Sequence, residues 1–255
     1  MSIGQILMNL AINLFAGILI FLLGFFWAVI PKSYKKYLLK QFLGKGVLKD
    51  QLAIVYGTLV DSRVVGQNPT SFRFIKRYHD GRTVQIVGPW GNIVGDCEIR
   101  SSSYLINTIS IFRKNAVPVI ADSQAYGDLD KTFIALGSSS SNEITELVLR
   151  EPNNKFLRFG QDNDGFHIGD VKSERKFYGF TGSIKKDYGM ILKIKNRRST
   201  GNYYFVCAGL GEWGTSGASW YLSKNWKELR KYDEFGIVVE VEVGSDSSAI
   251  KVFPQ

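Results

Sequence analysis

The chain begins with an apolar run that is longer than any other in its 255 residues. No charged side chain precedes Lys32, and the uncharged stretch from Leu10 to Ile30 is 21 residues long. At ~1.5 Å per residue a helix of this length covers about 30 Å, the thickness of the hydrocarbon core of a bilayer. A cleaved signal peptide needs a basic start and small residues at its end, whereas this run has no basic start and ends in Phe-Phe-Trp. The run therefore predicts a retained transmembrane anchor over residues 1–31.

A basic segment follows over residues 32–50, with six lysines and one aspartate. By the positive-inside rule, such a flank predicts that the N-terminus lies outside and residues 51–255 lie in the cytoplasm. The formal net charge of the chain is +9, and this segment supplies more than half of it. The remainder is too small to indicate a nucleic-acid-binding face, so direct DNA binding is not expected.

Two amides interrupt the apolar run. At about 100° per residue they share one sector of the predicted helix with other small and amide residues; the sector includes Gln5, Asn9, Asn13, Gly17 and Gly24. Membrane helices use such stripes to approach one another and to form hydrogen bonds. The stripe predicts a homo-oligomer seam, which in a ring of helices would line a narrow polar path.

Residues 51–255 are enough for one domain with a substantial core. Short apolar, β-branched runs predict buried strands at 52–60, 117–121, 131–137, 203–209 and 235–243, with a sixth at 83–88. Helical spacing predicts helices at 101–115, 142–150 and 217–232. Strand–helix alternation is typical of a parallel sheet. The predicted fold class is therefore α/β: a single N-terminal transmembrane helix followed by a Rossmann-like, mostly parallel sheet domain.

One section breaks the alternation. Residues 155–202 form short alternating segments separated by Gly, Asn and Asp, which predict β-hairpins inserted in the α/β domain. The section is also basic, with Lys185, Lys186, Lys193 and Lys195. It is interpreted either as a solvated hairpin or as a lip over an anionic ligand.

Three Gly- or Ser-rich turns, at 88–96, 137–145 and 209–217, each follow a predicted strand and precede a predicted helix. Free N–H groups and the helix dipole suit such turns to anions, and parallel strands gather them at one edge. Ordinary helix capping by Ser141 or Asn142 is the alternative. The candidate ligand-binding residues are Gly91, Asn92, Asp96, Gly137, Ser138, Ser139, Ser140, Ser141, Asn142, Thr145, Gly209, Gly211, Glu212, Gly214, Thr215 and Ser216.

The segment TFIALGSSSSNEITELVL, residues 132–149, resembles the strand, small-residue turn and Thr-containing helix of CRISPR-associated Rossmann-fold (CARF) sensor domains. The resemblance implies a cyclic oligonucleotide or other nucleotide-type ligand, with Gly137 to Asn142 and Thr145 facing it. Some members of that family carry a transmembrane helix and act as membrane effectors. It thus implies a sensor in the bacterial inner membrane whose ligand drives oligomerisation or pore-like membrane disruption in antiphage defence.

Enzyme chemistry has weaker support. The two histidines, and Cys97 and Cys207, stand at no recognisable triad or metal spacing, so no metal or cofactor is expected. Glu212 is a weak catalytic candidate, because a carboxylate there can stabilise a ribosyl cation, and Trp213 is a candidate for stacking on a base. The first alternative function is therefore a membrane-anchored nucleotide or NAD glycohydrolase. The second is a non-catalytic membrane protein that binds a partner.

Overall fold

The computed structural model describes residues 3–45, 47, 51–57, 72–77, 83–88, 94–110, 116–179 and 185–254. The helices are α1 (Ile3–Leu43), α2 (Asp96–Ser110), α3 (Asp122–Ala125), α4 (Glu143–Leu149) and α5 (Glu212–Leu229). The strands are β1 (Leu52–Tyr56), β2 (Phe72–Arg77), β3 (Thr83–Gly88), β4 (Val119–Ala121), β5 (Thr132–Leu136), β6 (Leu157–Asp162), β7 (Gly165–Asp170), β8 (Lys176–Tyr178), β9 (Lys186–Lys195), β10 (Tyr203–Gly209), β11 (Phe235–Glu242) and β12 (Ser245–Phe253).

The main sheet has seven strands in the order β12-β11-β9-β10-β5-β1-β4. Strands β4, β1, β5 and β10 are parallel, whereas β9, β11 and β12 add antiparallel pairs. The predicted mostly parallel sheet is therefore wrong, and the sheet is mixed. The reason is the length of the connections: β9 joins β10, and β11 joins β12, through turns too short for the crossover that a parallel pair requires.

Strand β9 accounts for the error. Its residues were assigned to an inserted hairpin, but β9 lies inside the main sheet, between β10 and β11. The rest of that section does form a separate small antiparallel sheet, in the order β6-β7-β8. The predicted strand at 83–88 is β3, which pairs with β2 outside the main sheet.

Both faces of the main sheet are covered, which explains why its strands are apolar without strict alternation. On one face, Ile54 and Phe205 pack with the end of α1, α2 and α5. On the other, Val55 and Tyr204 pack with α3, α4 and the small β6-β7-β8 sheet. Adjacent residues of one strand thus enter different apolar clusters.

Helix α1 does not end with the apolar run but continues to Leu43. None of the helices in the described part of the chain combines the length and the apolarity that a membrane crossing needs. The predicted fold class is corrected on this point too, and its transmembrane helix is not retained. The physical reason for the different boundary is packing, because the last turns of α1, which fall in the basic segment predicted at residues 32–50, bury Leu39, Phe42 and Leu43 in the core.

Phe42 fixes the end of α1 on the domain. Its ring lies 5.3 Å from that of Phe205, 6.2 Å from that of Trp226 and 6.5 Å from that of Phe235. The Nζ of Lys193 lies 5.1 Å from the same ring. The last turns of α1 are therefore part of the folded domain.

Candidate functional site

The order of the parallel strands places a crevice between β1 and β5. Strand β1 is followed along the chain by α2 and then by β4 on one side of it, whereas β5 lies on its other side and is followed by α4. In open α/β sheets ligands bind outside the carboxyl ends of the strands where the order reverses in this way. The carboxyl ends of β1 and β5 are at Tyr56 and Leu136.

The serine-rich turn after β5 is held by Asn142. Its side-chain oxygen accepts hydrogen bonds from the N–H groups of Ile144 and Thr145, at 2.9 and 3.1 Å. Its amide nitrogen donates to the carbonyls of Val55 and Leu136, at 3.1 and 2.8 Å. Asn142 therefore caps α4 and links β1 to β5. Of the two residues predicted as possible caps, Asn142 and not Ser141 fills this role.

Thr145 is likewise committed to the fold, because its buried hydroxyl donates to the carbonyl of Gly137 at 2.9 Å. Gly137 has φ +95°, a left-handed conformation that favours glycine. Of the positions that the CARF resemblance implies, Asn142 and Thr145 are buried, while Ser138, Ser139 and Ser140 keep exposed surface. Only the serines are placed to touch a ligand.

A carboxylate of the chain itself lies at the start of α4. The N–H of Glu143 donates to Asp122, which follows β4 directly, at 3.0 Å. The first N–H groups of α4 are thus taken by Asn142 and Asp122. An external anion would have to displace them.

The same arrangement recurs at α5. Gly211 provides no side-chain cap, and the buried carboxylate of Asp187 accepts instead from the N–H groups of Gly211 and Gly214, at 3.1 and 2.6 Å. Asp187 also accepts from Tyr188 N–H at 2.7 Å. Burial raises the pKa of Asp187, and the three N–H bonds act against that shift.

The glycines of this turn serve close packing. A Cβ on Gly214 would lie 2.2 Å from the carbonyl oxygen of Tyr188, and one on Gly209 would lie 2.3 Å from the nitrogen of Thr215. The hydroxyl of Thr215 accepts from the N–H of Gly209 at 2.9 Å. These predicted ligand-binding residues therefore hold α5 against β9 and β10.

The side chain of Ser216 belongs to a network around Arg100. The guanidinium donates to Ser216 and to the buried carboxylate of Asp246, both at 3.0 Å, and also pairs with Asp96. It lies 4.3 Å from the ring of Trp213. Arg100 thus links α2 to Ser216 of α5 and to Asp246 of β12, while its pair with Asp96 lies within α2. It also covers one face of the Trp213 ring, which was predicted to stack on a base.

Sequence reasoning missed Glu98. The side chain is buried, with 6% of its surface exposed, at the start of α2. Two glycines make room for it, because a Cβ on Gly95 or Gly137 would lie 2.1 or 3.0 Å from a carboxylate oxygen. Within the described residues its carboxylate accepts one hydrogen bond, from the thiol of Cys97 at 3.2 Å. A signal existed in the sequence, since acidic residues favour the first turn of a helix, but that signal does not distinguish Glu98 from Asp96.

Among the described residues no cation pairs with Glu98. Burial, followed by the nearby charges of Glu98 and Glu212, raises the pKa of the Cys97 thiol. Five carboxylates lie at or near this edge of the sheet, those of Asp96, Glu98, Asp122, Asp187 and Glu212. The edge is therefore acidic, whereas the sequence favoured an anion site.

A cavity of about 490 Å³ opens beside Glu98. Its walls are the ring of Tyr56, the aliphatic side chains of Ile99 and Ile106, the edge strand at Val119 and the hydroxyls of Ser102 and Ser103. A mostly apolar cavity with few polar groups is typical of a small-molecule site. We name it the strand-end cavity.

Several predicted residues are not brought to this cavity. Glu212 is exposed at the start of α5 and does not line it. Gly91 and Asn92 lie outside the described residues, as does the side chain of Asn9. Gln5 and Asn13 are exposed on α1, and a Cβ on Gly17 or Gly24 would meet no other group within 4 Å.

Within the described residues no group of three His, Cys, Asp or Glu side chains is placed to bind a metal ion. Cys97 and Cys207 are free thiols, far apart in α2 and β10. Comparison of the chain with protein-family models, with curated proteins and with solved structures gives no match.

Proposed function

We propose that the domain is a binding module for a nucleoside- or nucleotide-type molecule, held in the strand-end cavity by the carboxylate of Glu98. The observation that carries the proposal is the burial of this carboxylate at the reversal point of the sheet, beside an open cavity. The hydrogen bond from the Cys97 thiol leaves acceptor capacity on this carboxylate, which the O–H or N–H groups of a ligand can use.

The side chains of the strand-end cavity indicate which part of a nucleotide would bind there. A carboxylate accepts hydrogen bonds, so it suits ribose hydroxyls or the N–H groups of a base. Tyr56 offers an aromatic surface to the base, while Ser102 and Ser103 offer further hydroxyls. Phosphates are disfavoured at the helix N-termini, because Asp122 and Asp187 already accept from them.

Binding is favoured over turnover. Glu212, the candidate for glycohydrolase chemistry, lies outside the cavity, and within the described residues Glu98 is the one carboxylate that lines it. A glycosidase ordinarily uses two carboxylates that flank the scissile bond. The CARF resemblance is consistent with a sensor that reports a bound signal without consuming it.

The output of such a sensor is proposed to be association of copies through α1. From Ile3 to Phe26 the large apolar side chains of α1 that the structure describes are exposed, among them Leu14, Phe15 and Phe21 at 66–70%. An apolar surface of this extent calls for a partner. The polar and small positions Asn13, Gly17 and Gly24 supply a stripe where two such helices can approach closely.

Titration of the full chain with nucleosides, mononucleotides and cyclic oligonucleotides, followed by calorimetry, tests the binding site. We expect Glu98→Gln to weaken binding by about 10- to 100-fold, the value of a hydrogen bond to a charged group. Glu212→Gln is the matched control, since it removes an exposed carboxylate near the same edge, and it should bind as the parent does.

Three outcomes of this titration oppose the proposal. They are an absence of binding by the parent chain, equal binding by the two variants, and release of free base during incubation. The last, if Glu212→Gln abolished it, would establish the glycohydrolase instead.

A further inference from the structure

We propose a second binding site, for a phosphate-bearing anion, in a pocket between α1, α2 and α5. The pocket has a volume of about 390 Å³. Lys35 of α1 and Lys224 and Lys227 of α5 line it, together with Asn107 and Thr108 of α2. We name it the lysine pocket. Asn107 also lines the strand-end cavity, but none of the three lysines does, and the inference does not depend on the function proposed for Glu98.

The three lysines converge because of how the helices pack. Lys224 and Lys227 are three residues apart, so they lie on the same face of α5. Lys35 comes one turn before Leu38 and Leu39, whose burial holds that part of α1 on the domain. Two elements far apart in the chain therefore bring their ammonium groups to one opening.

The three lysines of the pocket lack acidic partners among the described residues. In the part of the chain that the structure describes, none of the three ammonium groups forms an ion pair or a hydrogen bond with a carboxylate. Like charges at such spacing repel one another. A bound anion would offset this repulsion, because each lysine would be attracted to the anion. Lysine is a common phosphate ligand because its ammonium group acts as a compact positive charge.

The neutral side chains of the lysine pocket indicate which kind of ligand it can bind. The hydroxyl of Thr108 donates to the carbonyls of Tyr104 and Ser223, and the hydroxyl of Ser223 donates to the carbonyl of Trp220. These hydroxyls are therefore committed to the helices. The exposed amide of Asn107 is left as a neutral donor, so recognition is dominated by charge, as suits a compact polyanionic group such as phosphate.

A phosphate group of this kind comes from a soluble phosphate ester or from a phospholipid headgroup. The exposed apolar side chains of α1 include that of Phe26, nine residues before Lys35, or ~14 Å along a helix. The lysine pocket therefore lies next to the surface where lipid acyl chains would lie if the source were a phospholipid. Two arms of one experiment separate the sources.

In the first arm, calorimetry measures binding of inorganic phosphate and of glycerol phosphate to the full chain. In the second, flotation measures binding to phosphatidylcholine vesicles with and without phosphatidylglycerol. The test variant is Lys224→Gln/Lys227→Gln. The control is Lys36→Gln/Lys231→Gln, which removes two exposed lysines, one on α1 and one in the turn after α5, that do not line the pocket.

We expect the test variant to lose about 25-fold in affinity in the arm that reports the true source, since each lysine near an anionic surface contributes about fivefold. The control should bind like the parent, and Lys224→Arg/Lys227→Arg should restore binding if charge is the cause. Thermal unfolding of each variant separates misfolding from lost binding. Equal losses in test and control variants, or no binding in either arm, would overturn the proposal.

Discussion

Strand β9 carries two buried charges of opposite sign, and the protein treats them differently. Asp187, near its start, accepts hydrogen bonds from three main-chain N–H groups, two of them at the beginning of α5. Lys193, near its end, donates to the carbonyl of Tyr232 at 3.2 Å and otherwise faces aromatic rings. Its Nζ lies 4.3 Å from the ring of Tyr203 and 5.1 Å from that of Phe42.

The difference teaches which charge the fold depends on. The partial positive charge of a helix N-terminus and directed N–H bonds compensate a carboxylate well. One carbonyl and several ring faces compensate an ammonium group less completely. Burial accordingly lowers the pKa of Lys193 to about 8, even though Asp233 and Glu234 act in the opposite direction. Asp187 therefore anchors the start of α5, whereas burial of the Lys193 charge lowers the stability of the folded chain by an amount that depends on pH.

Removing the anchor should have the largest effect. Asp187→Ala leaves three N–H groups without their acceptor, and we expect the free energy of unfolding to fall by about 3–5 kcal/mol. Denaturant unfolding measures this. Asp164→Ala is the matched control, because Asp164 lies exposed in the β6–β7 turn and its carboxylate accepts no hydrogen bond within the described residues. A loss no larger than that of the control would mean that Asp187 does not hold α5.

Lys193 should have the next largest effect on the free energy of unfolding, and this effect changes with pH. The folded chain releases the Lys193 proton near pH 8, whereas the unfolded chain keeps it to about 10.5. Between these values the unfolded state binds more protons, so stability rises with pH, by about 3 kcal/mol in total. Below pH 8 the cost of burying the charge is fully present.

Lys193→Met tests this by removing the titrating group and keeping an apolar side chain of similar length. The difference in unfolding free energy between the parent and the variant, measured from pH 7 to 10.5, should change in favour of the parent as pH rises. Using the difference cancels the titration of the tyrosines. A difference that stays constant with pH would show that Lys193 keeps its ordinary pKa in the folded chain.

The smallest change in the free energy of unfolding is expected at the serine-rich turn after β5. Here the exposed serines are compared with Asn142, which caps α4 and also donates to strand carbonyls. Ser138→Ala/Ser139→Ala/Ser140→Ala should change the unfolding free energy by no more than about 0.5 kcal/mol, as for exposed positions generally. Asn142→Ala should cost about 2 kcal/mol, since it removes a cap and two bonds to strand carbonyls. Equal costs would mean that the serines, not Asn142, organise the start of α4.

Local pattern was sufficient for much of the secondary structure. The strands β5, β10 and β11 and the helix α4 lie where apolar runs and helical spacing predicted them. The small sheet of β6, β7 and β8 also follows from its Gly-, Asn- and Asp-rich turns. The errors of prediction concerned strand pairing. Nothing within the sequence of β9 indicates that this strand would enter the main sheet.

The site divides in the same way. The sequence alone determined that Gly- and Ser-rich turns follow β5 and β10 and precede α4 and α5, because turn chemistry and helical spacing are local properties. Only the tertiary structure decided that Asp122 and Asp187 fill the helix N-termini, that Glu98 is buried beside a cavity, and that Lys35 meets Lys224 and Lys227. These are contacts between residues far apart in the chain, so their sign and geometry depend on packing that no local pattern contains.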